Sequence, residues 1–279
     1  MNTLKAERKV AVVGALVEGC GINSIVRMTG VSKPTILKLL ADLGKACARY
    51  QDERLRNLQC KRVECDEVWS FCFAKDKNLP EELKGRFGFG SVWTWTAICA
   101  DTKLMISWLV GDRSAVYASK LMGELAGRLS NRIQLTTDGH RVYVEAVERA
   151  FGSEVDYAML VKLYDNDPTG NETRYSPAEC CGTRTTRISG NPNESGVSTS
   201  HAERMNLSIR MNMRRFTRLT NAHSKKIENH IHALSIYFMY YNFARIHQTL
   251  RITPAMAAGV SDHVWSLEEI IDLLNQTVV

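Results

Sequence analysis

The sequence lacks the features that would place it in a membrane or send it for secretion. No stretch of its 279 residues approaches the roughly 18 uninterrupted apolar residues of a membrane-spanning helix. The first ten residues include an acidic side chain and no apolar signal-peptide core. We therefore expect a cytoplasmic protein that has no membrane partner.

Metal-binding cysteine spacings are also missing. None of the eight cysteines forms a C-x-x-C pair, and several lie in apolar, strand-like runs. Free buried thiols are the expected state of such residues. A zinc site built from Cys60, Cys65 and the pair Cys180 and Cys181 is left open, although the spacings do not favour one.

The charge of the chain is modest in sum and uneven in distribution. Hydrophobic content of 44% and charged content of 24% are ordinary for a soluble globular protein, and the net charge is +6. Residues 1–50 hold eight Lys or Arg against three acids, and residues 203–226 hold seven against one. The rest of the chain is therefore net acidic. Two basic stretches on an acidic chain are typical of two contacts with a phosphate backbone.

The first 50 residues predict three short helices, over 4–17, 22–28 and 33 to about 47. Ser32 is a natural N-cap for the third helix, and Pro34 falls in its first turn. A short helix, a glycine-containing turn and a capped basic helix indicate a helix-turn-helix DNA-binding domain over residues 1–50.

In that domain we expect three side chains to face DNA: Lys33, Thr35 and Lys38. A three-helix packing or oligomerisation element is the alternative. The polar residues 51–61 are expected to be a linker or the tail of the third helix.

From residue 62 the pattern changes to strands that alternate with helices. The expected strands are 62–73, 91–100, 104–110, 133–137 and 155–164, and the expected helices are 116–129, 142–151 and about 224–241. Three meandering strands, then helix, strand, helix, strand and helix, is the order of the ribonuclease-H-like fold. We therefore expect an α/β core over 62–250, with a mixed sheet flanked by helices.

Two segments fall outside that pattern. Residues 165–198 are rich in Gly, Pro, Asn, Thr and Ser without apolar periodicity, which predicts an inserted loop. Residues 251–279 are expected to form a C-terminal helical tail.

Three acidic residues have settings that indicate a catalytic site. Asp66 lies in an apolar strand-like run, Asp138 ends another strand, and Glu203 lies near the start of a helix. Brought together by folding, such carboxylates would hold two hard divalent cations, as phosphoryl transfer on DNA requires. The expected cation is Mg²⁺, with Mn²⁺ as a substitute.

Each acid also has an ordinary interpretation. Asp138 before a glycine is typical of a turn, and a glutamate near a helix start complements the helix dipole. Asp66 is harder to dismiss, because a charge among apolar residues needs a partner or an ion. Glu64 and Glu67 compete with it, and strand alternation places Glu64 on the same face and Glu67 on the other.

The helix of Glu203 continues as a basic track. Asn206 and Arg210 share its face and are expected to hold a phosphate, and three further arginines follow as DNA contacts: Arg214, Arg215 and Arg218. A solvated basic helix is the alternative. His140 and His201 flank the second and third acids, as auxiliary contacts to water or phosphate or as ordinary hydrogen-bonded histidines.

Several motifs together resemble one family. They are CDEVW at 65–69, TDGH at 137–140, STSHAERMN at 198–206, YNFARIHQTL at 241–250 and TPAMAAG at 253–259. The chain resembles bacterial insertion-sequence transposases with a DDE catalytic core, most closely the first-numbered insertion-sequence group. The resemblance implies Asp66, Asp138 and Glu203 as the triad, a ribonuclease-H-like core and magnesium dependence.

The same resemblance implies double-stranded DNA as partner, both the inverted repeats at the element ends and the target. We expect at least a homodimer on DNA, in the bacterial cytoplasm near the nucleoid. The long gap before Glu203 leaves Glu172 and Glu194 as rivals for the third position. The cysteine-rich zinc element of this group is not among these residues, so recognition of the DNA ends is expected to rest on the helical module.

The expected reaction is cleavage at element ends and strand transfer into target DNA. Two other functions remain open: a catalytically inactive DNA-binding regulator, and a metal-dependent nuclease without strand transfer.

Overall fold

A computed structural model describes residues 4–164, 180–217 and 221–276, and shows a mixed α/β protein built on one six-stranded sheet. In chain order the elements are α1 (Ala6–Val17), α2 (Ile22–Thr29), α3 (Lys33–Arg54), β1 (Arg62–Cys72), β2 (Gly90–Cys99), β3 (Met105–Gly111), α4 (Ala115–Ala126), β4 (Ile133–Thr137), α5 (Val142–Phe151), β5 (Val155–Tyr164), β6 (Cys180–Ser189), α6 (Ser200–Asn212), α7 (Ile227–Met239), α8 (Pro254–Ala257) and α9 (Leu267–Asp272). No helix in these ranges is long and apolar enough to cross a membrane.

The strands lie in the order β3-β2-β1-β4-β5-β6. Strands β1, β2 and β3 form an antiparallel meander, β4 and β5 run parallel to β1, and β6 is antiparallel to β5. The predicted bounds of the first five strands are confirmed to within about two residues. Hydrophobic alternation was sufficient here because each of these strands buries at least one face.

Strand β6 corrects the prediction of a continuous loop over 165–198. Residues 180–189 pair with β5 along the edge of the sheet. Most of their side chains are exposed, so the segment has no apolar face and hydrophobic periodicity could not reveal it. The first part of the predicted loop, residues 165–179, lies outside the described residues.

The three N-terminal helices begin within two residues of the predicted positions, and the first two also end there. Ser32 caps α3, and its hydroxyl accepts the Thr35 N–H at 3.4 Å. The apolar face of α3 is buried and consists of Ile36, Leu39, Leu40 and Leu43. The helix continues to Arg54, so the first residues of the predicted linker are helical.

Helix α3 packs closely along α7. A Cβ atom placed on Gly44 would lie 2.5 Å from the Cβ of His232. The Ser235 hydroxyl donates to the Gly44 carbonyl at 2.7 Å, and the Gln51 amide donates to the Ser235 carbonyl at 3.0 Å. The N-terminal helices and the helices that follow the sheet therefore share one hydrophobic core.

The predicted final helix is divided in the structure. Helix α7 ends at Met239, and one π-helical turn follows over Tyr240–Ala244. Beyond it the chain forms the short helices α8 and α9, and α9 packs against α1.

Candidate active site

An acidic cleft opens where strand β4 ends. Strand β4 pairs with β1 only as far as Thr137 beside Cys65, and the next backbone pairing of β1 on that side is the bridge from Cys72 to Ser224. The next residues, Asp66 and Glu67 on β1 and Asp138 after β4, lie at this open edge. The cleft has a volume of about 690 Å³, and we call it the acidic cleft. It is lined by Asp66, Glu67, Arg113, Asp138, Gly139, His140, Leu160, Val161, Lys162, Thr199, Glu203, Asn206 and Arg210.

Three carboxylates lie at the centre of the cleft. One oxygen from each of Asp66, Glu67 and Asp138 lies within 4.8 Å of the other two. Asp66 accepts the N–H of Glu67 at 2.7 Å and the side-chain amide of Asn206 at 2.7 Å. Asp138 accepts the His140 N–H at 2.9 Å. The backbone and α6 thus hold the first two predicted acids in place beside a third carboxylate.

Glu67 joins this cluster from the other face of the sheet. Strand alternation predicted that it faces away from Asp66, and in the structure it lies against Tyr143 of α5. Its side chain is 1% exposed, and the Arg113 guanidinium lies 3.1 Å from Glu67 and 3.6 Å from Asp138. Glu67 reaches the cleft because β4 has already ended and no neighbouring backbone separates the two faces.

Burial and neighbouring carboxylates raise the pKa of Asp66 and of Glu67. Burial raises the pKa of Asp66 to about 7, and the charges of Asp138, Glu67 and Glu203 add to that effect, while the Glu67 N–H opposes it. Burial and Asp138 likewise raise the pKa of Glu67, against the influence of Tyr143 and Arg113. Both shifts follow mainly from burial, and the neighbouring negative charges add to them.

This donor set fits a hard divalent cation. Mg²⁺ and Mn²⁺ prefer carboxylate and amide oxygens, and the cluster offers three carboxylates whose oxygens lie within 4.8 Å of one another. Asn206 Oδ1, on the same side of the cleft, is buried and accepts no hydrogen bond among the described residues. Both observations favour a cation bound between β1, β4 and α6.

Glu203 lies in the same cleft but outside the close group. Its carboxylate accepts from Lys162 of β5 at 2.5 Å and from the Thr199 hydroxyl at 2.8 Å. Asn206 and Arg210, three and seven residues later on α6, line the cleft beside it, as their spacing predicted. The N-cap of α6 is Thr199.

Two of the alternative acids, Glu64 and Glu194, lie outside the close group of carboxylates. Glu64 faces α6 as Asp66 does, and its carboxylate accepts the N–H groups of His201 and Ala202 at 2.7 and 3.0 Å. It therefore caps α6 and fastens that helix to β1. Glu194 lies in an exposed turn and does not line the cleft, and Glu172 is outside the described residues.

The two histidines that flank the predicted acids, His140 and His201, lie on different sides of α6. His140 lines the acidic cleft, with its ring 6.2 Å from that of Trp95. His201 lies on the other side of α6, where Lys103 Nζ is 3.1 Å from its Nε2. Only His140 is therefore adjacent to the three acids.

The predicted DNA contacts of the N-terminal helices lie on the surface. Lys33, Thr35 and Lys38 are all exposed, and Lys38 forms an ion pair with Asp42 at 2.6 Å.

The arginines after α6 have different positions. Arg214 is exposed. Arg215, expected at a DNA surface, instead donates to the Ser224 hydroxyl and the Asn229 carbonyl, both at 2.9 Å. Its guanidinium is thus used inside the fold. Arg218 lies outside the described residues.

Two cations of the cleft were not anticipated. Lys162 interrupts the apolar run of β5, and a charge in such a run was the signal that could have revealed it. Arg113 follows β3 in a polar turn, where its sequence carries no comparable signal. Its guanidinium stacks 4.7 Å from the Trp93 ring centre and so points toward the acids.

Comparisons with known proteins add one distant likeness. The structure is similar to that of a piggyBac transposase synaptic complex with hairpin DNA, determined by cryo-electron microscopy. The two chains are 11% identical, the similarity covers 98% of this chain and 72% of the other, and the TM-score is 0.35. No protein-family model matches the sequence, and no curated protein does. Function is therefore inferred from the chemistry of the cleft.

Proposed function

We propose that this protein is a DDE transposase that cleaves insertion-element DNA ends and transfers them to target DNA. The observation that carries the proposal is the meeting of Asp66, Asp138 and Glu203 in one open cleft, beside Asn206 and Arg210. These residues lie far apart in the sequence, and the fold brings together the acids that phosphoryl transfer on DNA requires.

The wider architecture supports the same proposal. The antiparallel meander β1–β3 is followed by α4, β4, α5, β5 and later α6, the order of elements in a ribonuclease-H-like core. We propose that the exposed side of α3, with Lys33 and Lys38, contacts DNA as part of a helix-turn-helix. Joining two ends to one target requires both ends together, which favours at least two copies on DNA.

Each polar residue of the cleft has its own proposed role toward a phosphodiester. Asn206 fixes the Asp66 carboxylate through its amide, and Arg113 holds Glu67 beside Asp138. Arg210 lines the same cleft, where its guanidinium is suited to hold phosphate oxygens. The cleft is open to solvent on one side, so a DNA strand can enter without rearrangement of the sheet.

Asp66 and Asp138 would hold a divalent cation, with Glu203 at the other side of the cleft. When bound, Mg²⁺ or Mn²⁺ supplies positive charge that activates the attacking hydroxyl or water and stabilises the leaving oxygen.

The test is incubation of the purified protein with Mg²⁺ and DNA carrying the gene's own flanking ends. Asp138→Asn is the loss-of-function variant, and Glu194→Gln, in an exposed turn outside the cleft, is the matched control. We expect metal-dependent nicked and joined products from the native protein and the control, and none from Asp138→Asn. Binding of the ends with no cleavage in Mg²⁺ or Mn²⁺ would contradict an enzyme and favour a regulator. Nicked DNA without joined products would instead identify a nuclease.

A further inference from the structure

A second cleft lies beside α6 on the side away from the acids. It has a volume of about 340 Å³, and its charged or titratable lining is basic: Lys103, His201, Arg204, Arg245 and His247. Among the residues that the structure describes, no Asp or Glu lines it. We call it the basic cleft.

The YNFARIHQTL motif at 241–250 builds one wall of this cleft. The Tyr241 hydroxyl donates to the Lys103 carbonyl at 3.0 Å. The buried Asn242 side chain accepts the Met105 N–H and donates to the Met105 carbonyl, both at 2.9 Å. These bonds fasten the motif to the hairpin between β2 and β3. Arg245 and His247, which follow at once, are thereby held at the cleft.

In the part of the chain that the structure describes, the cations of the basic cleft have no carboxylate within ion-pair distance. Among the described residues, Lys103, Arg204 and Arg245 form no ion pair. Two acids act on Lys103 through their charge and have hydrogen-bonded partners elsewhere: Asp101 is bound to Arg62 at 2.6 Å, and Glu64 accepts the His201 N–H at 2.7 Å.

Titration of His247 reflects this crowding of positive charge. Burial lowers the pKa of His247, and the neighbouring Lys103 and Arg245 lower it further. A bound anion would offset the same repulsion.

Helix α6 separates the basic cleft from the acidic one. One side of α6 lines the acidic cleft with Glu203, Asn206 and Arg210. Another side lines the basic cleft with His201, Arg204 and Ser208. At 3.6 residues per turn, these two sets lie on opposite sides of the helix. The exposed stripe between them carries Leu207 and Met211, which are 43% and 73% exposed. The two clefts are thus separated by about one helix diameter, roughly 10–12 Å.

We propose that the basic cleft binds a backbone phosphate of the DNA strand whose scissile phosphate occupies the acidic cleft. The inference rests on the proposed function and extends it to a specific strand path over the exposed stripe of α6. A separation of about 10–12 Å corresponds to roughly three base-pair steps along the axis of a duplex, at a rise of about 3.4 Å per step. The YNFARIHQTL motif then acts in substrate binding, through Arg245 and His247.

The experiment measures DNA binding in EDTA, where cleavage is absent, by fluorescence anisotropy of a labelled duplex over a range of KCl concentrations. The variants are Arg245→Gln, Arg204→Gln and the double variant, and both arginines are exposed, so folding is expected to be retained. Lys120→Gln on α4, also exposed and on the opposite face of the sheet, is the charge-matched control. Thermal unfolding of each variant verifies the fold.

We expect each single substitution to weaken binding about tenfold at low salt and to reduce the slope of log K against log [KCl] by about one. The double variant is expected to lose about two, and Lys120→Gln to match the native protein. Equal affinity and slope for Arg245→Gln and Lys120→Gln would overturn the inference.

Cleavage assays separate this result from the proposed function. If the native protein cuts DNA and Arg245→Gln binds normally, the strand path is wrong and the transposase assignment stands. If the arginine variants lose DNA binding while the native protein never cuts, the basic cleft stands and the transposase assignment is wrong.

Discussion

Lys162 and Glu203 form an ion pair across the acidic cleft, with 2.5 Å between Nζ and Oε2. The ammonium group pairs with the third carboxylate of the proposed triad, which lies outside the close group of Asp66, Glu67 and Asp138. We expect Lys162→Gln to free Glu203 and to tighten binding of Mn²⁺. Because both side chains are partly exposed, the gain is roughly two- to fivefold, as for a surface ion pair of about 0.2–1 kcal/mol.

Isothermal titration calorimetry with Mn²⁺ measures this change, with Lys120→Gln as the control for loss of one positive charge. Unchanged or weaker Mn²⁺ binding in Lys162→Gln would show that Lys162 does not compete for Glu203.

Asp66 is expected to make the metal-free protein less stable as the pH rises. Its pKa is about 7 in the folded protein, whereas an unfolded aspartate titrates near 3.9. The folded state therefore binds more protons than the unfolded state between about pH 4 and pH 7, and stability falls across that window. The slope due to this one group is at most about 1.4 kcal/mol per pH unit.

Asp66→Asn removes the titration, so the variant is expected to gain stability relative to the native protein from pH 4 to pH 7. Urea unfolding in EDTA at several pH values measures the difference. Parallel pH profiles for the two proteins would mean that Asp66 titrates in its usual range.

Gly44→Ala is expected to destabilise the protein by about 1–3 kcal/mol, because the added Cβ would lie 2.5 Å from the His232 Cβ and 2.7 Å from its Cα. The matched control is Gly123→Ala in α4, where an added Cβ meets nothing within 4 Å. That change is expected to stabilise by roughly 0.5–1 kcal/mol, as alanine does in a helix interior. Urea denaturation gives both values, and a Gly44→Ala protein as stable as the native one would disprove the close contact.

Asn242→Asp tests the anchor of the YNFARIHQTL motif. The aspartate keeps an acceptor for the Met105 N–H but loses the donor to the Met105 carbonyl and places a charge in a fully buried position. We expect a loss of roughly 2–4 kcal/mol of stability. Thermal or urea unfolding measures this loss, and Asn78→Asp, at an exposed position, is the control. Similar losses of stability in the two variants would show that the Asn242 side chain does not anchor the motif.

The sequence predicted most of the sheet because five strands carry an apolar face. It failed at β6, an edge strand exposed on both sides, for which no hydrophobic pattern exists. Strand alternation in the sequence predicted the face of Glu67 correctly. It also implied that Glu67 lies away from the cleft, whereas in the structure Glu67 lines it. The outcome depends on where β4 stops pairing with β1, and single-strand periodicity contains no such information.

The residues of the candidate site were also predicted only in part. Asp66, Asp138, Asn206 and Arg210 could be recognised from their local settings, and they line one cleft. The partner of Glu203 could not, because Lys162 belongs to a distant strand and its pairing is set by tertiary structure. Arg215 shows the converse, since a basic residue in a basic stretch turned inward to bind α7.

The contact of Gly44 with His232 joins the helix that carries Lys33 and Lys38 to the body that carries the acids. With no room for a side chain between α3 and α7, the two cannot slide past each other without unpacking. Any duplex that touches both surfaces must therefore match a preset distance. On the proposed function, the fixed spacing of the two surfaces would select DNA by the distance and the helical phase between its two contacted sites, as well as by sequence.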